Sequence, residues 1–130
     1  MADFDRVHDA LLDRAGGGMS LTEAAAKLGI TRRALHGRVM EGSVLGVMVG
    51  GDAVIPTLQF SDAEPGPSIL AGVDGLTKVF REAKAGPWMT LQFLVDHDPN
   101  LGGPPIEALR GGRAAAVLHA ARAHLHLDEG

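Results

Sequence analysis

Apolar positions recur at helical spacing in several separate stretches of this chain, and glycines mark their ends. Phe4, Val7 and Leu11 recur at i, i+3 and i+7, which predicts a helix over 3–14 ended by Gly16-Gly17-Gly18. Asp5, Asp9 and Asp13 form an acidic stripe on another face of that helix. Ser20-Leu21-Thr22-Glu23 has the spacing of a capping box: the serine oxygen takes the amide of Glu23, and the glutamate reaches back to the serine amide. A helix follows to Leu28 and stops at Gly29. Thr31 caps a second short helix over 32–40, which Glu41-Gly42 closes. Val44 to Val49 is rich in β-branched residues and reads as a strand. Gly50-Gly51-Asp52 suits a tight hairpin turn, Ala53-Val54-Ile55 is the return strand, and Pro56 stops it or lies at an edge.

Ser61 to Ser68, with its two prolines and a glycine, has the composition of a linker. Beyond it the pattern is purely helical. Val73, Leu76, Phe80 and Ala83 share one face. Pro87 opens another helix, with Trp88, Leu91 and Val95 on its buried side, and Asp98 to Pro105 forms a long turn. Ile106 and Leu109 belong to a short helix, and a last helix over 113–126 buries Ala114, Val117, Leu118, Ala121 and Leu125. The predicted fold is mainly α. An N-terminal helix and a winged helix-turn-helix with a small β-hairpin occupy 1–60, a linker 61–68, and a C-terminal helical domain 69–130.

Composition narrows the chemistry. Among 130 residues aromatics are only 4 % and tyrosine is absent, so the core is built from Leu, Val and Ala. There is no cysteine, which excludes a disulfide framework, a thiol nucleophile and a zinc-thiolate site. No apolar run approaches the ~20 residues of a membrane span, and the acidic start is unlike a secretory leader; a cytoplasmic protein is expected. The net charge of −4 argues against a general nucleic-acid coat, yet it is unevenly spread. Residues 20–50 carry Lys27, Arg32, Arg33 and Arg38 against Glu23 and Glu41, a net of +2.

That basic island coincides with the helix pair. Two short helices joined by a glycine-containing turn match a helix-turn-helix. If Leu35 and Val39 face inward against Leu21, Ala25 and Leu28, then at 100° per residue Arg33, His36, Gly37 and Met40 point outward together, flanked by Arg32 and Arg38. Arg33 near the helix start could bond guanine O6 and N7 in a major groove. His36 could donate to a base or a phosphate, and Gly37 lets the helix approach closely. Thr31, Arg32, Arg38 and the amides at the helix start would hold phosphates. The hairpin carries no Lys or Arg, so its contribution as a wing is expected to be weak.

Leu21 to His36, followed by Glu41-Gly42 and the hairpin to Pro56, resembles the winged helix-turn-helix of MerR-like and excisionase-like regulators. The second half resembles the toxin-binding domain of the Xre/MbcA/ParS antitoxins. The residues that carry this likeness are Trp88, Leu91 and Leu94, the turn Asp98-Pro99-Asn100-Leu101-Gly102-Gly103, and Pro105 to Gly112 with the helix through Val117. Pro104 stands where that family has threonine. The resemblance implies a type II antitoxin that neutralises a cognate toxin, commonly a RES-type enzyme or an ADP-ribosyltransferase, and represses its own operon as a homodimer. In such a protein Asp128, Glu129 and the terminal carboxylate of Gly130 would enter a toxin cleft built for an anionic nucleotide. The alternatives are a stand-alone winged helix-turn-helix regulator with no toxin partner and a protein-interaction module that does not bind DNA.

No catalytic, metal or cofactor-binding set is read from the sequence. His119, His124 and His126 lack the i, i+4 spacing of paired metal ligands, and His97 between Asp96 and Asp98 reads as part of a solvated turn. Neither glycine cluster is a phosphate loop, and there is no nucleophile elbow. An enzyme is not expected.

Overall fold

The computed structural model describes residues 2–126, with side chains from Arg6 onward. Helix α1 spans Ala2–Arg14, and strand β1, Gly18–Ser20, leads directly into α2, Leu21–Leu28. Helix α3 spans Arg32–Glu41, and the hairpin is formed by β2, Val47–Val49, and β3, Asp52–Pro56. A 3-10 turn, Thr57–Gln59, precedes the short strands β4, Phe60–Ser61, and β5, Ser68–Ile69. Four more helices follow among the described residues: α4 Val73–Glu82, α5 Pro87–Val95, α6 Pro105–Arg110 and α7 Ala114–His124. The protein is mainly helical with a small antiparallel sheet.

The three-stranded sheet has the order β1-β3-β2, with Met19 opposite Ile55 and Met48 opposite Ala53. Gly50 and Gly51 both have positive φ, 57° and 90°, the conformation a two-residue hairpin loop demands. β1 is a strand where the sequence pattern suggested only the glycines that end a helix. Gly18 is the residue that permits it, since a Cβ there would lie 2.4 Å from Val54 Cγ1. The hairpin's first strand also starts later than the β-branched run predicts. Val44 and Leu45 are core residues, and Leu45 is tied to the buried Gln59: its amide donates to Oε1 (2.9 Å) and its carbonyl accepts from Nε2 (2.8 Å).

Two hydrophobic clusters hold the molecule. The smaller joins Leu21, Ala24, Ala25, Leu35, Val44 and Ile55, from α2, α3, the segment before the hairpin, and β3. The larger is centred on α4 to α7, with Val73, Leu76, Phe80, Leu91 and Val117 fully buried, as the helical spacing of the second half predicts; in α5 Leu94 is fully buried as well, while the expected Trp88 and Val95 are half-buried. This cluster also contains Leu11 of α1 and Ala15 just beyond it, together with Leu45 and Leu58, so both halves of the chain contribute to one core. The segment 61–68, expected as a linker, is a closed loop whose ends pair Phe60 with Ile69 and Ser61 with Ser68.

α1 packs on α5 through a face shifted from the predicted one. Leu11 and Ala15 are buried and His8 stacks on Trp88 (centroids 3.7 Å apart), while Val7 is 60 % exposed. At its end Arg14 Nη2 reaches Asp96 Oδ1 (2.6 Å) and the Val95 carbonyl (3.1 Å). Partial desolvation raises the Asp96 carboxyl pKa, but hydrogen bonds from Arg14 and Gln92 and the electrostatic influence of Arg14 and the nearby His124 outweigh it, and the net shift is downward. A lowered carboxyl pKa stabilises the fold above the unfolded value, near pH ~4, and that contribution disappears as pH falls through the folded value. Asp96→Asn should therefore be less stable than the parent at neutral pH by the amount of a solvent-exposed pair, below about 1 kcal/mol. The two should converge in acid. Urea titrations at pH 7 and pH 2.5 check this, and a gap that persists in acid would assign the effect to packing.

Candidate nucleic-acid interface

The helix pair is built by local chemistry that the sequence states openly. Ser20 caps α2 in a reciprocal box: the Glu23 amide donates to Ser20 Oγ and the Ser20 amide to Glu23 Oε1, both at 3.1 Å. Hydrogen bonds to its carboxylate, from the Ser20 backbone amide first and the Ser20 side chain second, hold the Glu23 carboxyl below its ordinary range. Gly29 ends α2 in the left-handed conformation (φ 70°), where its amide meets the last carbonyls of the helix. Only Ile30 intervenes before Thr31, whose hydroxyl accepts from the Ala34 amide at 3.0 Å and caps α3. Ile30 packs on the smaller cluster, so a three-residue joint fixes the angle between the helices.

α3 turns one narrow stripe inward. Leu35 is fully buried and Val39 is half-buried, as the 100° geometry requires. Thr31, Arg32, Arg33, His36, Gly37 and Arg38 are all exposed. Arg33, His36, Gly37 and Met40 share the outward face, and Met40 is 65 % exposed there. None of the three arginines forms an ion pair with a described residue. Arg32 and Arg38 stand on either flank. Arg38 lines a hollow of about 430 Å³ shared with Leu28, Ile30, Ser43, Val44 and the loop residues Pro67 to Ile69. Lys27, also in the basic island, is committed elsewhere: its ammonium lies 3.3 Å from Asp62 and over the ring of Phe60.

The surroundings of α3 differ on its two sides. At the C-terminal end the Arg81 guanidinium of α4 donates to the carbonyls of Met40 (3.0 Å) and Val39 (3.5 Å), and the Thr77 hydroxyl donates to the Gly42 carbonyl. No sequence periodicity links residues forty positions apart, so these contacts are invisible until the chain is folded. The hairpin offers Met48 and Val49 to solvent with no cation between β2 and β3, and Asp9 of α1 lines a hollow with Met48, Val49 and Gly50. A hairpin whose one charged residue is Asp52, with Asp9 beside it, makes a poor phosphate contact. Asp128, Glu129 and Gly130, the residues expected to enter a toxin, lie outside the described residues.

No group of three or more metal-ligating side chains occurs among the described residues, and no helix there is long and apolar enough to cross a membrane. The fold is similar to that of a solved structure. The NMR structure of Rv2175c superposes with a TM-score of 0.71 over 83 % of this chain and 80 % of that one. Sequence identity is 21 %, so the likeness is one of fold alone. No protein-family model matches the chain, and no curated protein matches it.

Proposed function

We propose that this protein is a DNA-binding transcriptional repressor that reads its operator with α3 of a winged helix-turn-helix. The observation that carries this reading is the outward face of α3: its donors are exposed, with no described residue over them, on a helix anchored from below by Leu35. Arg33 near the N-terminal end presents a fork of donors matching guanine O6 and N7. Arg32, Arg38 and the first amides of α3 lie where phosphate contacts orient such a helix. Met40 supplies an apolar group of the kind that packs on a thymine methyl. One short helix covers few base pairs, so a homodimer on a two-fold operator is the assembly this reading requires.

Gly37 provides an independent argument. It lies in the middle of α3, is exposed, and, beyond its own stretch of helix, has no described atom within 4 Å of where a Cβ would stand. A glycine there costs the isolated fold about 0.5–1 kcal/mol relative to alanine, with no internal contact to require it. The space it leaves faces outward, where a duplex would lie. Gly37→Ala should raise thermal stability and at the same time weaken DNA binding. Calorimetry beside a binding titration reads both, and a variant that gains stability while binding DNA undiminished would remove this argument.

The likeness of the second half to antitoxin domains adds the role of neutralising a toxin to that of repressor. Trp88 and the Asp98 turn, two features that carry that likeness, serve the fold: Trp88 stacks on His8, and Asp98 closes its turn by accepting from the Asn100 amide at 2.8 Å. The decisive experiment for DNA binding is titration onto the region upstream of the protein's own gene and onto random duplex at several salt concentrations. Preferential binding that falls steeply with salt is expected; equal binding to both duplexes would favour an interaction module. Co-expression with the product of a neighbouring gene that by itself arrests growth tests the antitoxin role, where rescue of growth is the expected result.

A further inference from the structure

The last turn of α3 ends against α4, and its carbonyls are shared between local and distant donors. The Arg38 carbonyl accepts from the amides of Gly42 and Ser43 and from the Ser43 hydroxyl. The Val39 and Met40 carbonyls accept from Arg81, and the Gly42 carbonyl accepts from Thr77. Gly42 makes this approach possible. It is buried with φ of 92°, and a Cβ on it would lie 3.3 Å from both Arg81 Nη1 and Thr77 Oγ1. A guanidinium at a helix C-terminus also meets the negative end of the helix dipole. Thus α3 is held along its length by Leu35 and at its C-terminal end by α4, while its donors face solvent.

We propose that Arg81 and Thr77 are positioning residues that set the angle at which α3 meets DNA, a reading that rests on the DNA-binding role proposed above. Base readout by Arg33 needs two donors placed on two acceptors, and a small rotation of α3 about Leu35 carries them out of reach. Phosphate contacts tolerate such a rotation better, because a salt-like contact to a backbone oxygen carries no base register. The clamp therefore acts on discrimination between sequences more than on general affinity. A groove of about 510 Å³ runs along this joint, lined by Val39, Met40, Met48, Thr77, Arg81 and Lys84 among others.

The test compares Arg81→Met, Arg81→Lys and Thr77→Val with the parent protein on two duplexes: a site the protein selects from a randomised pool, and a scrambled control. Arg81→Met should lose about five- to tenfold in affinity for the selected site, the range of a mutation that acts through a coupled element. It should bind the scrambled duplex as the parent does, with the same dependence on salt. Arg81→Lys, which keeps the cation and one carbonyl contact, should recover most of the loss. Thr77→Val keeps the shape and should show the same selective loss in smaller measure. Equal losses on both duplexes, with a salt slope lower by about one, would make Arg81 a phosphate contact and overturn the proposal. Unchanged discrimination would overturn it as well. If the parent prefers no sequence, the DNA-binding reading itself fails, and hydrogen exchange decides the clamp separately. Faster exchange of the Gly42 and Ser43 amides in Arg81→Met, with α2 unchanged, supports it, and unaltered exchange rejects it.

Discussion

Gln59→Leu should destabilise the protein by about 2–4 kcal/mol, the range for leaving several buried polar groups without partners. Gln59 is fully buried and uses both ends of its amide. Oε1 accepts from the Leu45 amide, and Nε2 donates to the carbonyls of Leu45 (2.8 Å) and Pro56 (3.1 Å). Leucine fills a similar volume, so the cost lies in three backbone groups stranded away from water and only secondarily in packing. For a chain of this length the melting temperature should fall by about 10 °C. Gln59→Glu should be no better, since a carboxylate replaces the Leu45 acceptor but repels both carbonyls that Nε2 served. Denaturant titration with an unchanged m-value is the measurement. A loss below about 1 kcal/mol would mean that water reaches these groups.

That glutamine explains why some of the fold was legible in the sequence and some was not. Elements fixed by near neighbours were legible: the Ser20 box, the Gly29 and Gly42 stops, the Thr31 cap and the Gly50-Gly51 turn all act within a few residues. The inward stripe of α3 was legible for the same reason, because helical geometry alone relates Leu35 to the face opposite it. Elements fixed by distant partners were not. β1 is three residues long, and only its pairing with β3 makes it a strand. Val44 and Leu45 look like strand residues, yet Gln59 draws Leu45 into the core, and the strand begins two residues later. Val7 has the spacing of a buried position, but the face α1 presents is chosen by α5 through His8 and Trp88. The 61–68 segment has the composition of a linker, and its closure depends on a strand pair that two residues on each side cannot signal. In the candidate site, the exposed donors could be listed from the sequence. Their support from Arg81 and Thr77, and the diversion of Lys27 to Asp62, could not.

Arg33→Ala should abolish most of the preference for a selected site, costing about 1–3 kcal/mol in discrimination, the measured range for a bidentate contact to guanine. At ~1.4 kcal/mol per decade this is roughly a five- to 150-fold loss in specific affinity. The argument depends on position. Arg33 lies one residue inside the N-terminal end of α3 and on the same side as His36, Gly37 and Met40, opposite the buried Leu35. An arginine there reaches a base edge when the helix lies in a major groove. Arg32 and Arg38 flank that side, so the proposed docking gives each a phosphate to contact. Arg32→Ala and Arg38→Ala should weaken binding to specific and random duplex by similar factors and lower the salt slope by about one each. None of the three removes buried surface or an ion pair with a described residue, so stability should stay within about 0.5 kcal/mol of the parent. Competition titrations of the three variants against selected and scrambled duplexes separate these roles. Uniform loss in Arg33→Ala with discrimination intact would move the reading residue elsewhere on the helix, with His36 next in line on the same face. Loss of discrimination in Arg38→Ala alone would instead rotate the DNA-facing side toward the hollow between α3 and the loop at Pro67 to Ile69. Either result redraws the docking geometry by a rotation of α3 that helical periodicity fixes in advance.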